Sequence, residues 1–322
     1  MSVLSAKDLS VVFDLPTGPA VAVDRVSFDL AAGQTLGLVG ESGSGKSVTA
    51  LSLVGLLRPP GRVAGGHVMF GGRDLLRLDE RGMRAVRGAA IGFVFQEPMT
   101  ALDPVYTIGD QIGEALRIHG TSRAQARARA LELLDAVRIP NAASRLNDYP
   151  HQLSGGMRQR VCIAIAMACR PTLLIADEPT TALDVTIQAE ILDLLREMRQ
   201  TLGLAMLLIT HDLGVVAETA DRVAVMYAGR IVEHGPVRDV LRAPDHPYTR
   251  GLLASLPGAA RGAALRPIAG GVTTLGAFPR GCTFHPRCPD RFAPCDQAVP
   301  GPLHTSPERT VRCFLHDPHA AR

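Results

Sequence analysis

Apolar residues alternate with polar ones, or run unbroken, over Val3–Val12 and Val21–Leu30, with Pro16-Thr17-Gly18-Pro19 between them. That pattern predicts two antiparallel strands joined by a turn. Thr35–Val39 and Ile91–Phe95 read as short buried strands, and His67–Phe70 followed by Gly71-Gly72 as a strand and turn. From Thr107 to about Tyr149 the apolar positions fall at helical spacing: Ile108, Ile112, Ala115 and Leu116, then Ala130, Leu131, Leu133 and Leu134. Leu173–Ala176, Ala205–Ile209 and Val223–Met226 are further short apolar strands with helical stretches between them, and Gly229–Gly235 reads as a closing hairpin strand. Strand and helix in alternation predict an α/β fold, a parallel sheet wrapped by helices.

Composition shifts around Pro257, where Gly, Pro and Ala dominate as far as Pro279, and residues 280–322 are rich in Cys, Pro and His. The expected organisation is a main domain over 1–256 with a helical subdomain about 100–170, a linker over 257–279 and a small extension over 280–322, folding apart from the main domain. A hydrophobic content of 46% suffices for a large core. The net charge of +3 is too small to argue for nucleic acid. Met1–Ser10 carries Lys7 and Asp8 and lacks the apolar stretch of a signal peptide. No apolar run reaches the ~18 residues of a membrane span. A cytosolic setting is expected, with cysteines reduced or metal-bound.

Of the 34 basic residues only Lys7 and Lys46 are lysines. Lys46 lies in Gly40-Glu41-Ser42-Gly43-Ser44-Gly45-Lys46-Ser47, which matches the phosphate-binding loop G-x-x-x-x-G-K-[ST]. Its flanks predict strand before and helix after, Ser47–Leu57, so loop N–H groups and a helix N-terminus can hold phosphate. A slim ammonium can pass under such a loop where a guanidinium would not fit. Leu173–Glu178 is an apolar strand ending in two acids. Beside a phosphate loop, Asp177 suits Mg²⁺ and Glu178 the polarising of an attacking water; alone, the pair would read as a solvated turn. Leu153–Met157 opens a helix at Arg158–Arg170, where Ser154 is an N-cap and Gly155-Gly156 leaves the terminal N–H groups open to an anion.

Taken together, Gly40–Ser47, Phe95-Gln96-Glu97, Leu153–Met157, Leu173–Glu178, Ala182-Leu183-Asp184 and Thr210-His211-Asp212 occur in the order and approximate spacing of ABC-type ATPase subunits, over roughly residues 3–255. The chain resembles that family. The resemblance implies a P-loop NTPase core of ABC type, with an antiparallel β subdomain and a helical subdomain. It implies ATP and Mg²⁺. Gly40, Ser42, Gly43, Ser44, Gly45, Lys46 and Ser47 would form the Walker A loop, and Asp177 and Glu178 the Walker B pair. Gln96 resembles the Q-loop glutamine, Asp184 the D-loop aspartate and His211 the switch histidine. Ser47, Gln96 and Asp177 would hold the metal. Ser154, Gly155 and Gly156 resemble the family signature, with Met157 where glutamine is usual, as in the peptide-transporter branch. Phe13 is a candidate to stack on adenine, or a strand core residue. The resemblance further implies that Lys46, Gln96 and His211 of one subunit and Ser154 and Gly156 of a second meet the same γ-phosphate.

His246–Arg250 and the tail cysteines Cys282, Cys288, Cys295 and Cys313 resemble the C-terminal extension of oligopeptide/dipeptide importer ATPases, as do Met157–Val161 and Asp184–Gln188. Two permease subunits, a second ATPase subunit in a heterodimer and an external solute-binding protein are then the expected partners, with no nucleic acid. The chain would sit peripherally on the cytoplasmic face of the inner membrane. The cysteine spacing, C-x5-C-x6-C-x17-C, is not a C-x2-C zinc pattern. Four thiolates suit a [4Fe–4S] cluster or zinc, and the resemblance favours the cluster. His285, His304 and His316 are substitute ligands or plain tail histidines. Cys162 and Cys169 read as small hydrophobes. A soluble ABC ATPase acting on ribosomes or DNA is the rival class. One cassette, no heptads and little net charge stand against it.

Overall fold

A computed structural model describes residues 2–256, 268–271 and 273–320. Its strands are β1 (Ser2–Leu15), β2 (Gly18–Ala31), β3 (Thr35–Val39), β4 (Gly61–Phe70), β5 (Arg73–Asp74), β6 (Ile91–Val94), β7 (Leu173–Asp177), β8 (Ala205–Thr210), β9 (Arg222–Tyr227), β10 (Arg230–Pro236), β11 (Leu303–Ser306) and β12 (Arg309–Val311). Its α-helices are α1 (Lys46–Leu53), α2 (Glu80–Val86), α3 (Pro98–Ala101), α4 (Ile108–Ile118), α5 (Arg123–Ala136), α6 (Ala142–Arg145), α7 (Gly155–Ala166), α8 (Val185–Leu202), α9 (Leu213–Thr219), α10 (Val237–Arg242) and α11 (Pro247–Ala254). Part of the expected linker, residues 257–267 and 272, lies outside the described residues.

The chain forms two compact units. The first comprises Met1–Leu4, Leu30–Gln34 and Arg77–Ile209. Its strands β6, β7 and β8 are parallel, with Ile91 opposite Leu173 and Leu173 opposite Ala205. Every residue of β7 and β8 is buried, as strands covered on both faces require, which is why they read as unbroken apolar runs. The helical stretch expected over 107–149 is α4, α5 and α6, and α4 and α5 pack on each other and on α7. Ser122 caps α5 with a complete capping box, its partner being Gln125.

The second unit comprises Ser5–Asp29, Thr35–Leu76 and Thr210–Arg322. In it β3 runs parallel to β9, with Leu36 opposite Arg222 and Val39 opposite Val225. β9 pairs antiparallel with β10, β10 with β12, and β12 with β11. The sheet ordered β2-β1-β4-β5 lies mainly in this unit. The hairpin β11–β12 is a departure from the sequence reading, which placed no strand in the tail. Strands of four and three residues are too short for alternation to show, yet β12 covers the edge of β10. The tail thus belongs to the compact unit that holds the phosphate loop, instead of folding apart from it. Its Phe284 is buried in one apolar cluster with Val39, Val216, Val225, Tyr227, Val240 and Tyr248.

Candidate functional site

In the second unit β3 delivers the chain into the loop Gly40–Ser47, and α1 leaves it at Lys46. Gly40 has φ +158°, and a Cβ there would stand 2.1 Å from the Met226 carbonyl oxygen, so only glycine lets the loop start where β9 ends. Lys46 is 4% exposed, and its Nζ donates to the carbonyls of Gly40 (2.8 Å) and Glu41 (3.0 Å). The lysine therefore runs beneath the loop, as its slim shape allows. Ser44 Oγ is buried without a hydrogen-bond partner. An orphaned hydroxyl beside a buried ammonium is a donor set that fits phosphate oxygens. Ser42 and Gly43 are exposed, and Gly45 and Ser47 partly so, leaving the outer face of the loop accessible. Phe13 in β1 is half-buried; a Cβ on Gly61 would come within 3.0 Å of its ring, so the ring lies against the start of β4. His211 is exposed directly after β8, ahead of α9, whose N-cap Asp212 accepts from the N–H groups of Gly214 (2.7 Å) and Val215 (3.3 Å).

In the first unit Asp177 ends β7 buried, and Glu178 follows half-buried at φ +47°. A non-glycine residue held left-handed is strained by about 1–3 kcal/mol and points to function. Its N–H donates to the Ile209 carbonyl (2.9 Å). The carboxylate is aimed by Thr181, whose hydroxyl donates to Oε2 at 2.7 Å, and Gln96 Nε2 approaches the same oxygen at 3.4 Å. Gln96 and Glu178, which lie 82 positions apart, are thus brought together. Thr181 was not singled out from sequence; its place three residues after the acid was the available signal. Ser154 caps α7, accepting from the Met157 N–H at 3.3 Å, and Ser154 and Gly155 are exposed. Gly156 packs against α8, since a Cβ there would lie 2.7 Å from Ile187 Cγ2. Asp184 is exposed and caps α8 by accepting from the Ile187 N–H at 3.0 Å.

Back in the second unit, Cys282, Cys288, Cys295 and Cys313 all line one cavity with Pro247, Phe284, Phe314 and Leu315. Burial pushes the Cys282 thiol up, Cys288 up to about 11 and Cys313 up to about 12, and the neighbouring thiols add to this. The donor set suits an iron–sulfur cluster in kind. The arrangement does not: among the described residues no group of three or more His, Cys, Asp or Glu side chains is placed to hold a metal. The four cysteines expected as ligands thus line one apolar cavity. His285 lines it but turns Nδ1 to the Cys282 carbonyl (2.9 Å), and His316 Nε2 is taken by the Asp245 carbonyl (3.0 Å). Cys162 is buried in α7, its thiol pushed up to about 12 by burial, in keeping with a small hydrophobe.

Sequence reading also missed Glu41 as a point of attachment. Its carboxylate pairs with Arg287, 246 positions away, a separation no motif spans.

The family described as ABC transporter matches residues 23–181, and the family described as oligopeptide/dipeptide transporter, C-terminal region, matches residues 232–295. The chain is 52% identical over 321 residues to dipeptide transport ATP-binding protein DppD of Bacillus subtilis (strain 168), covering 99% of this chain and 96% of that protein. It is 50% identical over 313 residues to oligopeptide transport ATP-binding protein OppD of Salmonella typhimurium, covering 97% of this chain and 93% of that one. Among solved structures, a dimeric ATP-binding cassette in a post-hydrolysis state, bound to ADP and Pi, matches with a TM-score of 0.66 at 28% identity, over 73% of this chain and 99% of that one.

Proposed function

The chain belongs to the ATP-binding subunits of peptide-importing ABC transporters and powers such import by hydrolysing ATP; we propose that it does so as one half of a pair of cassettes sharing two nucleotides. The observation that carries this reading is the buried Lys46 beneath a glycine-started loop, next to the orphaned Ser44 hydroxyl.

Lys46 and the loop N–H groups hold the β- and γ-phosphates of the substrate, and Phe13 offers its ring to adenine. Ser47, Asp177 and Gln96 are the groups that would hold Mg²⁺, which when bound neutralises charge on the phosphates. Glu178 is the general base: it accepts a hydrogen bond from the attacking water and draws its proton. Thr181 and the strained backbone fix the direction of that carboxylate. His211 contacts the γ-phosphate from its own cassette. The exposed Ser154 and Gly155, with Gly156, meet the γ-phosphate held by the other cassette, at the positive end of α7. Asp184 lies at the seam of the pair.

The partner is a second, different ATPase subunit. Two permease subunits dock on the helical subdomain around residues 104–149, with Gln96 at its hinge, and an external binding protein delivers the solute. No helix among the described residues is long and apolar enough to cross a membrane. By its likeness to import ATP-binding subunits, the chain sits peripherally, on the cytoplasmic face.

Glu178→Gln should bind ATP yet lose nearly all turnover, and ATP-bound pairs should accumulate with Mg²⁺. Wild-type hydrolysis by this variant in the assembled transporter would remove Glu178 from the role. The tail cysteines stay assigned to a [4Fe–4S] cluster, with zinc as the alternative, only if loading draws the thiols together. Anaerobically purified protein should then hold about four irons and absorb near ~400 nm. Cys288→Ser should bleach it and Cys162→Ser should not. Stoichiometric zinc without iron would replace the cluster with a zinc site, and metal-free protein would end both.

A further inference from the structure

Three groups hold Glu41, the second residue of the phosphate loop, each by a different part. The Glu41 N–H donates to the Tyr248 hydroxyl at 2.9 Å. Its carboxylate takes both Nη atoms of Arg287, at 2.7 and 3.0 Å. Its carbonyl accepts from Lys46 Nζ at 3.0 Å. The Arg287 side chain is 6% exposed and that of Glu41 24%, so this pair is sheltered, unlike the exposed pairs that contribute little. A two-pronged guanidinium–carboxylate contact fixes orientation as well as distance.

Both outer partners are themselves anchored. Arg287 Nε donates to the Ala269 carbonyl at 3.1 Å, and its guanidinium carbon lies 5.8 Å from the centre of the Tyr227 ring. Tyr248 is fully buried, its ring 4.6 Å from that of Tyr227 and 5.3 Å from that of Phe284. Neither can follow the loop if it shifts. The start of the loop is therefore referenced to the tail, and the same residue that the tail grips positions the lysine.

We infer that Arg287 and Tyr248 are positioning residues of the nucleotide site, holding Glu41 so that Lys46 stands ready for a nucleoside triphosphate. This rests on the reading of the loop as the ATP site. The tail is then a working part of that site, and Arg287 directly precedes Cys288 of the thiol cavity.

The test measures binding of a non-hydrolysable ATP analogue to the full-length chain. Arg287→Ala should raise Kd on the order of tenfold, as expected for loss of a group that orients a binding residue. Arg287→Lys, which keeps the charge without the fork, should fall between, and Tyr248→Phe should show a smaller rise. Glu41→Ala should match Arg287→Ala, and the double variant should be no worse than either. Arg250→Ala, which breaks the ion pair with Asp290 and none of the bonds to Glu41, should leave Kd unchanged. In the assembled transporter the Arg287 variants should raise KM for ATP while kcat at saturating ATP holds. Wild-type Kd in Arg287→Ala, additive effects with Glu41→Ala, or a fall in kcat at unchanged KM would each overturn the inference. If Arg287→Ala does not fold, Arg287→Lys and Tyr248→Phe carry the same test. If the wild-type chain itself fails to bind the analogue, the ATP reading fails and not the clamp alone.

Discussion

Burial favours the neutral form of two histidines of the second unit, and one of them, His246, makes a contact only a neutral ring can make. Burial, ahead of Arg222 nearby, pulls His234 down to about 4; burial, ahead of Arg250 and His316, pulls His246 down to about 3. His246 Nδ1 caps α11 by accepting from the Tyr248 N–H at 3.0 Å, which a protonated nitrogen could not do. A histidine whose folded pKa lies below its unfolded value of about 6.5 binds fewer protons folded than unfolded between those values. Stability from these residues is thus whole above about pH 6.5 and is lost as the pH falls toward 4. Urea unfolding should show a falling midpoint over that window. His246→Asn keeps an acceptor at the cap and removes one titrating ring. Its midpoint should fall less with acid than the wild type's, and an unchanged slope would clear His246 of any part in the acid limb.

At the scale of the element, the N-terminus of α7 shows how a helix end is kept open while its flank is packed. Ser154 satisfies one terminal N–H and stays exposed, so the cap costs no access. Gly156, two residues on, lies on the side facing α8, where Ile187 leaves no room for a Cβ. Ile187 is itself positioned by the Asp184 cap, so the signature helix and the segment after Glu178 are locked together. Gly156→Ala should destabilise the chain by about 1–3 kcal/mol through overpacking. Adding Ile187→Ala, which removes the clashing methyl, should return much of that loss in a urea titration. A double variant no more stable than Gly156→Ala would place the strain elsewhere.

Over the whole molecule, the tail is joined to the second unit by a polar knot as well as by apolar packing. The Glu233 carboxylate, fully buried in β10, accepts from the N–H groups of Asp245 (2.8 Å) and His246 (3.0 Å) and pairs with Arg309 of β12 (3.0 Å). Arg309 also pairs with Asp245 at 2.8 Å. Breaking such a buried pair strands its partners, at a cost of about 3–5 kcal/mol. Glu233→Ala should therefore loosen β11 and β12 and lower the melting temperature of the full chain, with faster amide exchange at residues 303–311. Exchange there at the wild-type rate would mean that apolar packing by Phe284 and Val311 alone holds the tail.

The residues proposed for the nucleotide site stand out in the sequence because phosphate chemistry admits few solutions. A loop that wraps phosphate needs glycines and one slim cation at fixed spacing, and a buried parallel strand can show an acid only at its end. Gly40–Ser47 and the pair Asp177 and Glu178 are local patterns, each written in a few consecutive residues. The strands and helices around them were equally local, since burial on both faces leaves β7 and β8 apolar throughout. What lay beyond the sequence depends on residues far apart in the chain. Gln96 reaches Glu178, Arg287 grips Glu41, and β12 finds β10 only after the chain has folded back. The tail looked like an appendage because its few apolar residues form no periodic pattern. Tertiary structure decided otherwise, since Phe284, Tyr248 and Tyr227 exclude water only together, and the cluster they form brings Arg287 to the phosphate loop.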